Sequence, residues 1–313
     1  MKIALLGTGF GQAHAAVYAA RDDVEVTVFG RRADVLGEVA DRFGFTTTTD
    51  LNSVFTDPAI ELVDICLPTR LHAEMVLRAL AAGKHVLTEL PLAADLTEAR
   101  EVAAAAAVSD RQVFVDMYDR FLPANQLLFD AAASKTYGRL RQLVVEQATA
   151  LLWPGVSIGV HAIPIEMMHG DLDIIVQTLG APDGLEAIAA AGGPDTGVVE
   201  AILDYPDAIA RCSASSLMPM PYGSRGGYRA TFENGVLEAT FTQGFDGKPS
   251  AAVTTYTADG EHRTELPAAD PYTAMIDHVL ACLRGEVVNR IAPASVLDTL
   301  AVTLGIDAIV NSR

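Results

Sequence analysis

The chain has 313 residues, half of them hydrophobic, and carries 22 basic against 40 acidic side chains for a formal charge of −18. That length suits two modest domains with a substantial core, and the acidic balance speaks against nucleic acid and anionic membranes, which recruit basic patches. No run reaches the roughly 20 apolar residues of a membrane span, and "MKIALLGTGFG" reads as a buried first strand rather than a leader, so a cytoplasmic protein is expected.

Short apolar runs alternate with helical stretches through the first third. "KIALLG" is a strand, "GQAHAAVYAA" a helix, "VEVTVFG" a strand and "ADVLGEVADRFG" a helix ending on glycine. "LVDICLP", "HAEMVLRALAAG", "HVLTEL", "LTEAREVAAAAAVS" and "QVFVDMY" continue the alternation. Near-continuous apolar strands joined by helices predict a parallel sheet covered on both faces, hence a doubly wound α/β domain over residues 1–118. The pattern changes near Tyr118. A helix, "LPANQLLFDAAASKTYG", leads to "RLRQLVVEQATALLW", "LEAIAAAG", "VVEAILDYP", "IARCSASSLM", "YRATFENGVLEATFT" and "AAVTTYTADGEHRTEL". These alternate as strands of a large, open, mostly antiparallel sheet, with a hairpin signal at Asn234-Gly235. "DLDIIVQTLG" is a helix and two more close the chain, giving a second α/β domain over residues 119–313 whose last helices could pack back on the first domain. Cys66, Cys212 and Cys282 are odd in number and widely spaced, so they read as reduced structural thiols. No cluster has metal-ligand spacing; His161 and His169 stand eight apart with no third ligand evident.

"GTGFGQAH" follows the first strand and opens a helix, the context in which a glycine-rich turn binds a dinucleotide. Gly7 permits the tight turn, Gly9 lets backbone approach a pyrophosphate, and Phe10 and Gly11 complete the turn before the helix N-terminus. Gln12 stands where a third glycine is usual, with Gly11 one residue early. The second strand ends at Gly30 followed by Arg31 and Arg32, where an NAD-preferring fold places a carboxylate. Two guanidinium groups there suit a 2′-phosphate, so NADP is expected over NAD.

"DICLPTRLHAEMVLRALAAGKHVLTELPLA", with "GTGFG" before it and "DRFLP" after it, resembles the Gfo/Idh/MocA oxidoreductases. The resemblance is dense over residues 1–125 and thinner beyond. It implies a Rossmann domain, a second domain whose open sheet forms a homo-oligomer interface, and NAD(P)-dependent chemistry on a sugar, cyclitol or similar small molecule bound between the domains. By resemblance Pro68, Thr69 and His72 line the cofactor, Glu89, Leu90 and Pro91 stand near the nicotinamide ribose, and Arg120 sits at a family Arg-Phe position facing substrate; Tyr118 and His161 are further substrate-site candidates and reserves for proton transfer. For His72 a helix-capping role stays open, and for Arg120 a structural ion pair.

The same likeness exposes two departures. Family members carry a lysine between the glutamate and the proline; here Leu90 neither ionises nor donates. Lys84 falls at the far end of that strand, and Lys2, Lys135 and Lys248 have no evident link to the site. The family's histidine near the helix start is displaced: counting back from Gly180 places Asp173 at the family's aspartate, Gly170 at its histidine and Glu166 at its acid, with His169 one residue early in a loop. A histidine titrating near neutrality can carry a proton. His169 is therefore the candidate acid/base, with Asp173 or Asp171 orienting it by a hydrogen bond and Glu166 in reserve. Alternatives are a reductase of the biliverdin or imine type, which needs no lysine, and a non-catalytic NADP-binding sensor or regulatory protein.

Overall fold

A computed structural model describes residues 1–150, 158–243, 250–267 and 270–312. The chain begins with β1 (Lys2–Leu6), α1 (Gly11–Ala19), β2 (Glu25–Phe29), α2 (Ala33–Phe43), β3 (Thr46–Thr48) and α3 (Leu51–Thr56). It continues through β4 (Ile60–Ile65), α4 (His72–Ala81), β5 (His85–Thr88), α5 (Leu96–Val108) and β6 (Val113–Val115). Next come α6 (Pro123–Ser134), β7 (Leu140–Thr149), α7 (Ile163–Glu166), α8 (Met168–Leu179), β8 (Gly184–Ala191), β9 (Gly197–Asp204) and β10 (Ile209–Ser215). It ends with β11 (Ser224–Phe232), β12 (Val236–Gln243), β13 (Ser250–Thr257), β14 (Gly260–Leu266), α9 (Pro271–Leu283) and α10 (Leu297–Asn311). Two compact units result: Met1–Tyr118 with Asp270–Leu297, and Asp119–Ala269 with Asp298–Arg313.

The first unit is built on a parallel sheet in the order β3-β2-β1-β4-β5-β6. β1, β4, β5 and β6 are buried at nearly every residue, as strands covered on both faces must be. Helix boundaries follow local chemistry. The Asp95 carboxylate accepts the Thr97 and Glu98 amides at 2.7 and 3.0 Å to start α5, and Gly44 ends α2 in the left-handed region at φ 74°. β3 had no apolar signal: it is three threonines, held as an edge strand by pairing with Thr27–Phe29 of β2. The order of this sheet reverses between β1 and β4, which opens a crevice beyond the C-terminal ends of the strands, where such folds bind ligands.

The second unit is an eight-stranded sheet in the order β14-β13-β12-β11-β7-β10-β9-β8, antiparallel at every junction except β7–β10. Along β9 and β10 buried and less buried residues alternate, so one face builds the core with α6, α8 and α10 while the other is open. The stretch "LLW" read as the end of β7 lies outside the described residues, as does Lys248. The two closing helices part company: α9 belongs to the first unit and α10 to the second. Residues 293–311 have the length and hydropathy of a membrane span, yet Val302, Ile306 and Val310 of this stretch lie in the core of the second unit.

Candidate nucleotide site and its polar cluster

The turn after β1 gives each glycine a separate reason. Gly7 has φ 118°, and a Cβ there would stand 2.2 Å from the Cys66 carbonyl oxygen, so no side chain fits. A Cβ on Gly11 would meet the Cys66 Cβ at 3.3 Å and Leu5 at 3.5 Å. Gly11 thus provides the close helix-to-sheet approach that a third glycine usually supplies. A Cβ on Gly9 would meet nothing within 4 Å, which leaves open space before the first turn of α1. That first turn has no side-chain cap; the Gln12 and Ala13 amides donate to the Gly9 and Phe10 carbonyls at 3.2 and 2.9 Å, so the turn meets an anion mainly with the positive end of the helix dipole. Gln12 ties the turn together instead: its Nε2 donates to the Thr8 carbonyl at 2.9 Å and its Oε1 accepts from Arg42 at 3.1 Å. These residues fit a dinucleotide.

At the end of β2 a Cβ on Gly30 would press on Thr8 at 3.0 Å and on Leu36 at 3.1 Å, so the position of the missing carboxylate has no ready room for one. Arg32 is held by Asp34 in a two-point ion pair, 2.5 and 3.2 Å, on the exposed surface. Arg31 is exposed and forms no ion pair among the described residues.

Beneath the glycine turn lies a polar cluster. His14, on the buried face of α1, sets Nδ1 2.8 Å from Asp64 and Nε2 3.0 Å from Asp116, and Tyr18 donates to the same Asp64 oxygen at 2.8 Å. Glu89 follows β5 and brings Oε1 to 3.8 Å from His14 Nε2, while its Oε2 accepts the Leu90 amide at 3.2 Å. Cys66 Sγ lies 3.5 Å from both His14 and Asp64. The His14 ring packs on Tyr272, which packs on Tyr118. Burial opposes a charge on His14, but Asp64, Cys66 and Asp116 outweigh it and hold the imidazole protonated well above its usual range. Burial, then Asp116, lifts Glu89 to about 8 against the pull of His14. Burial also raises Asp116, whose Oδ1 is enclosed without a hydrogen-bond partner. His14, Cys66 and Glu89 come close enough to suggest a cation, yet both imidazole nitrogens already face carboxylates.

Other sequence candidates fall as follows. His72 opens α4 with Nδ1 2.8 Å from the Pro91 carbonyl and Nε2 2.6 Å from the Leu67 carbonyl, which pins the Glu89–Pro91 segment and leaves no ring nitrogen for a ligand. Pro68 is exposed and Thr69 half-buried on the turn before it. The Leu90-Pro91 peptide is cis. Lys84 is buried and donates to the Asp57 and Ile60 carbonyls at 2.6 and 2.8 Å, so it braces a loop.

In the second unit α8 begins at Met168, so His169 lies in helix rather than in a bulged loop. It is buried, Nδ1 meets Thr303 Oγ1 at 2.8 Å, and Nε2 is enclosed without a partner. The expected orienting aspartate is engaged elsewhere. Arg120 donates to both Asp173 oxygens at 2.7 Å, and Thr299 donates to Oδ1 at 2.8 Å. Thr303 orients the imidazole instead. Burial pushes His169 down to about 4, so it is neutral near pH 7 rather than titrating there. Asp171 Oδ2 is enclosed without a hydrogen-bond partner, and burial together with Asp119 raises its carboxyl well above the usual carboxylate range. Glu166 and His161 are exposed.

Residues 1–117 match the model of an oxidoreductase family with an NAD-binding Rossmann fold, Gfo/Idh/MocA.

Among similar proteins, levoglucosan dehydrogenase of Pseudarthrobacter phenanthrenivorans is 38% identical over 104 residues, 30% of this chain and 27% of the relative. 4-Carboxy-2-hydroxymuconate-6-semialdehyde dehydrogenase of Sphingobium is 34% identical over 131 residues, 41% of this chain and 42% of the relative. The match thus spans less than half the length of either relative. An Agrobacterium radiobacter oxidoreductase, solved with NAD+, L-tartaric acid and magnesium, shares the fold with a TM-score of 0.85 at 19% identity, covering 100% of this chain and 97% of that one. The motif "GTGFG" after the first strand announced the glycine turn, whereas nothing in the reading of the sequence singled out the cluster of His14, Asp64 and Asp116. A signal was present: "LVDICLP" and "VFVDMY" each set one aspartate in an otherwise apolar strand context, and a buried charge is kept only where it is paired.

Proposed function

We propose that the chain is an NADP-preferring oxidoreductase that moves a hydride to or from a carbonyl or hydroxyl of a sugar, cyclitol or related small molecule. The observation that carries this reading is the open space at Gly9 before the uncapped first turn of α1, in a chain whose first 117 residues match an NAD-binding oxidoreductase family. Hydride exchange is the bound nicotinamide's chemistry. The protein's task is to hold the pyrophosphate at Gly7–Gly11, orient the reacting carbon and manage one proton. Arg31 is the residue placed to grip a 2′-phosphate with paired charge-assisted hydrogen bonds, since Arg32 is already held by Asp34. The crowding at Gly30 supports the same preference, because a ribose-binding carboxylate has no ready room there.

His169 suits hydrogen bonding to a substrate hydroxyl through Nε2 rather than proton uptake near pH 7. The open face of the eight-stranded sheet exposes Ile188, Ile202 and Ile209 among charged neighbours, which supports a homo-oligomer. Three buried free thiols support a reducing, cytoplasmic setting. The test is a fluorescence titration with NADPH and NADH. Saturable NADPH binding, with NADH at least about tenfold weaker, is the expected result. Absence of binding by both removes the oxidoreductase reading.

A further inference from the structure

We propose that Glu89 gives and takes the proton at the reacting oxygen, in place of the lysine that Leu90 replaces, with His14 as its positioning residue. This rests on the oxidoreductase reading above and deepens it.

Three features of the first unit carry the inference. Glu89 follows β5 at the sheet edge that also holds the glycine turn, the edge where doubly wound sheets bind their ligands. Within the cluster it is the member that reaches the surface: its side chain is 14% exposed, against 0% for His14, Asp64 and Asp116. The inner members hold the histidine rigidly. Asp64 from β4 and Asp116 beyond β6 each take one imidazole nitrogen, so the ring cannot turn away from Glu89.

The groups around Glu89 set its proton affinity from every side. His14 on α1 pulls the proton off; Asp64 and Asp116 hold it on. Cys66 and Tyr18 stay protonated, raised by burial and by Asp64, and Tyr272 packs on the His14 ring with Tyr118 beyond it. Asp116 Oδ1 is enclosed without a hydrogen-bond partner, while its Oδ2 faces the His14 imidazole at 3.0 Å. The resulting affinity, about 8, lies close to working pH, where a general acid or base is most effective.

The step balances. In oxidation, ionised Glu89 accepts the O–H proton as the carbon's hydride leaves to the nicotinamide, giving a carbonyl, reduced cofactor and protonated Glu89. Glu89 then releases the proton to solvent along its exposed edge. In reduction, protonated Glu89 donates to the carbonyl oxygen as hydride arrives, and an alcohol and oxidised cofactor result. Leu90 offers no competing donor.

The test uses the full chain and Glu89→Gln. NADPH affinity should stay within about threefold of wild type. Turnover with NADP+ on levoglucosan, D-glucose or myo-inositol should fall about 100-fold, and the pH profile should lose its inflection near 8. Glu89→Asp should restore part of the rate with a displaced inflection. His14→Gln should move the inflection upward, because it removes the charge that draws the proton off Glu89. Infrared difference spectra between wild type and Glu89→Gln, with NADPH bound at pH 7, should contain a protonated carboxyl band. Absence of that band, or wild-type turnover and pH profile in Glu89→Gln, overturns the proposal while leaving the oxidoreductase reading in place. Failure of wild type to bind NADPH overturns both.

Discussion

Gly7 and Gly9 stand two residues apart in one turn, and the structure assigns them opposite consequences on substitution. Gly9→Ala adds a methyl group that meets no protein atom within 4 Å, at a backbone conformation that is not in the left-handed region. The folded state accepts it, and the unfolded chain loses freedom, so stability should hold or rise by about 0.4–1 kcal/mol. That is roughly 2 °C in Tm for a protein of this size. The same methyl fills the space proposed for the pyrophosphate. Losing one or two charge-assisted hydrogen bonds costs about 1.5–3 kcal/mol, which raises the Kd for NADPH roughly 10- to 150-fold. Gly7→Ala is the control: its Cβ would lie 2.2 Å from the Cys66 carbonyl oxygen at φ 118°, so stability itself should fall by several kcal/mol, about 1–3 of it from backbone strain alone. Thermal melts and NADPH fluorescence titrations read the two effects separately. A Gly9→Ala variant that binds NADPH as wild type does would refute the placement of the phosphates.

Three further outcomes follow from the same geometry. Arg31→Ala should weaken NADPH binding about 10- to 100-fold through the lost charge-assisted hydrogen bonds and leave NADH binding nearly unchanged, whereas Arg32→Ala should do little, because that guanidinium already faces Asp34. Asp173→Ala removes the partner of a buried guanidinium and should destabilise by about 3–5 kcal/mol, read by urea unfolding. Proton linkage takes opposite signs in the two units. His169 is depressed to about 4, so its contribution to stability is present above 6.5 and is lost as pH falls through 4; Glu89 is raised to about 8, so its contribution is present below 4.5 and is lost as pH rises through 8. NMR titration of the His169 ring with a midpoint above 6 would contradict the burial argument.

The sequence by itself determined the regular framework, because period and punctuation are local properties. The continuous apolar runs of β1, β4, β5 and β6 announced a doubly covered parallel sheet, and the alternation of β9 through β12 announced one with an open face. Gly7 announced a turn that no other residue permits. Local pattern was silent where an element exists only through its neighbour. The three threonines of β3 are a strand because β2 offers its edge, and α9 and α10, adjacent in sequence, join different units. The chemistry at the first unit was also beyond local reach. His14 meets Asp64 across 50 residues and Asp116 across 102, and they meet because parallel strands deliver their C-terminal ends to one edge. Tertiary structure likewise decided that Asp173 binds Arg120, 53 residues away, and not the histidine four residues before it. A bidentate guanidinium–carboxylate pair satisfies two buried charges together, which a neutral imidazole on the same helix cannot do.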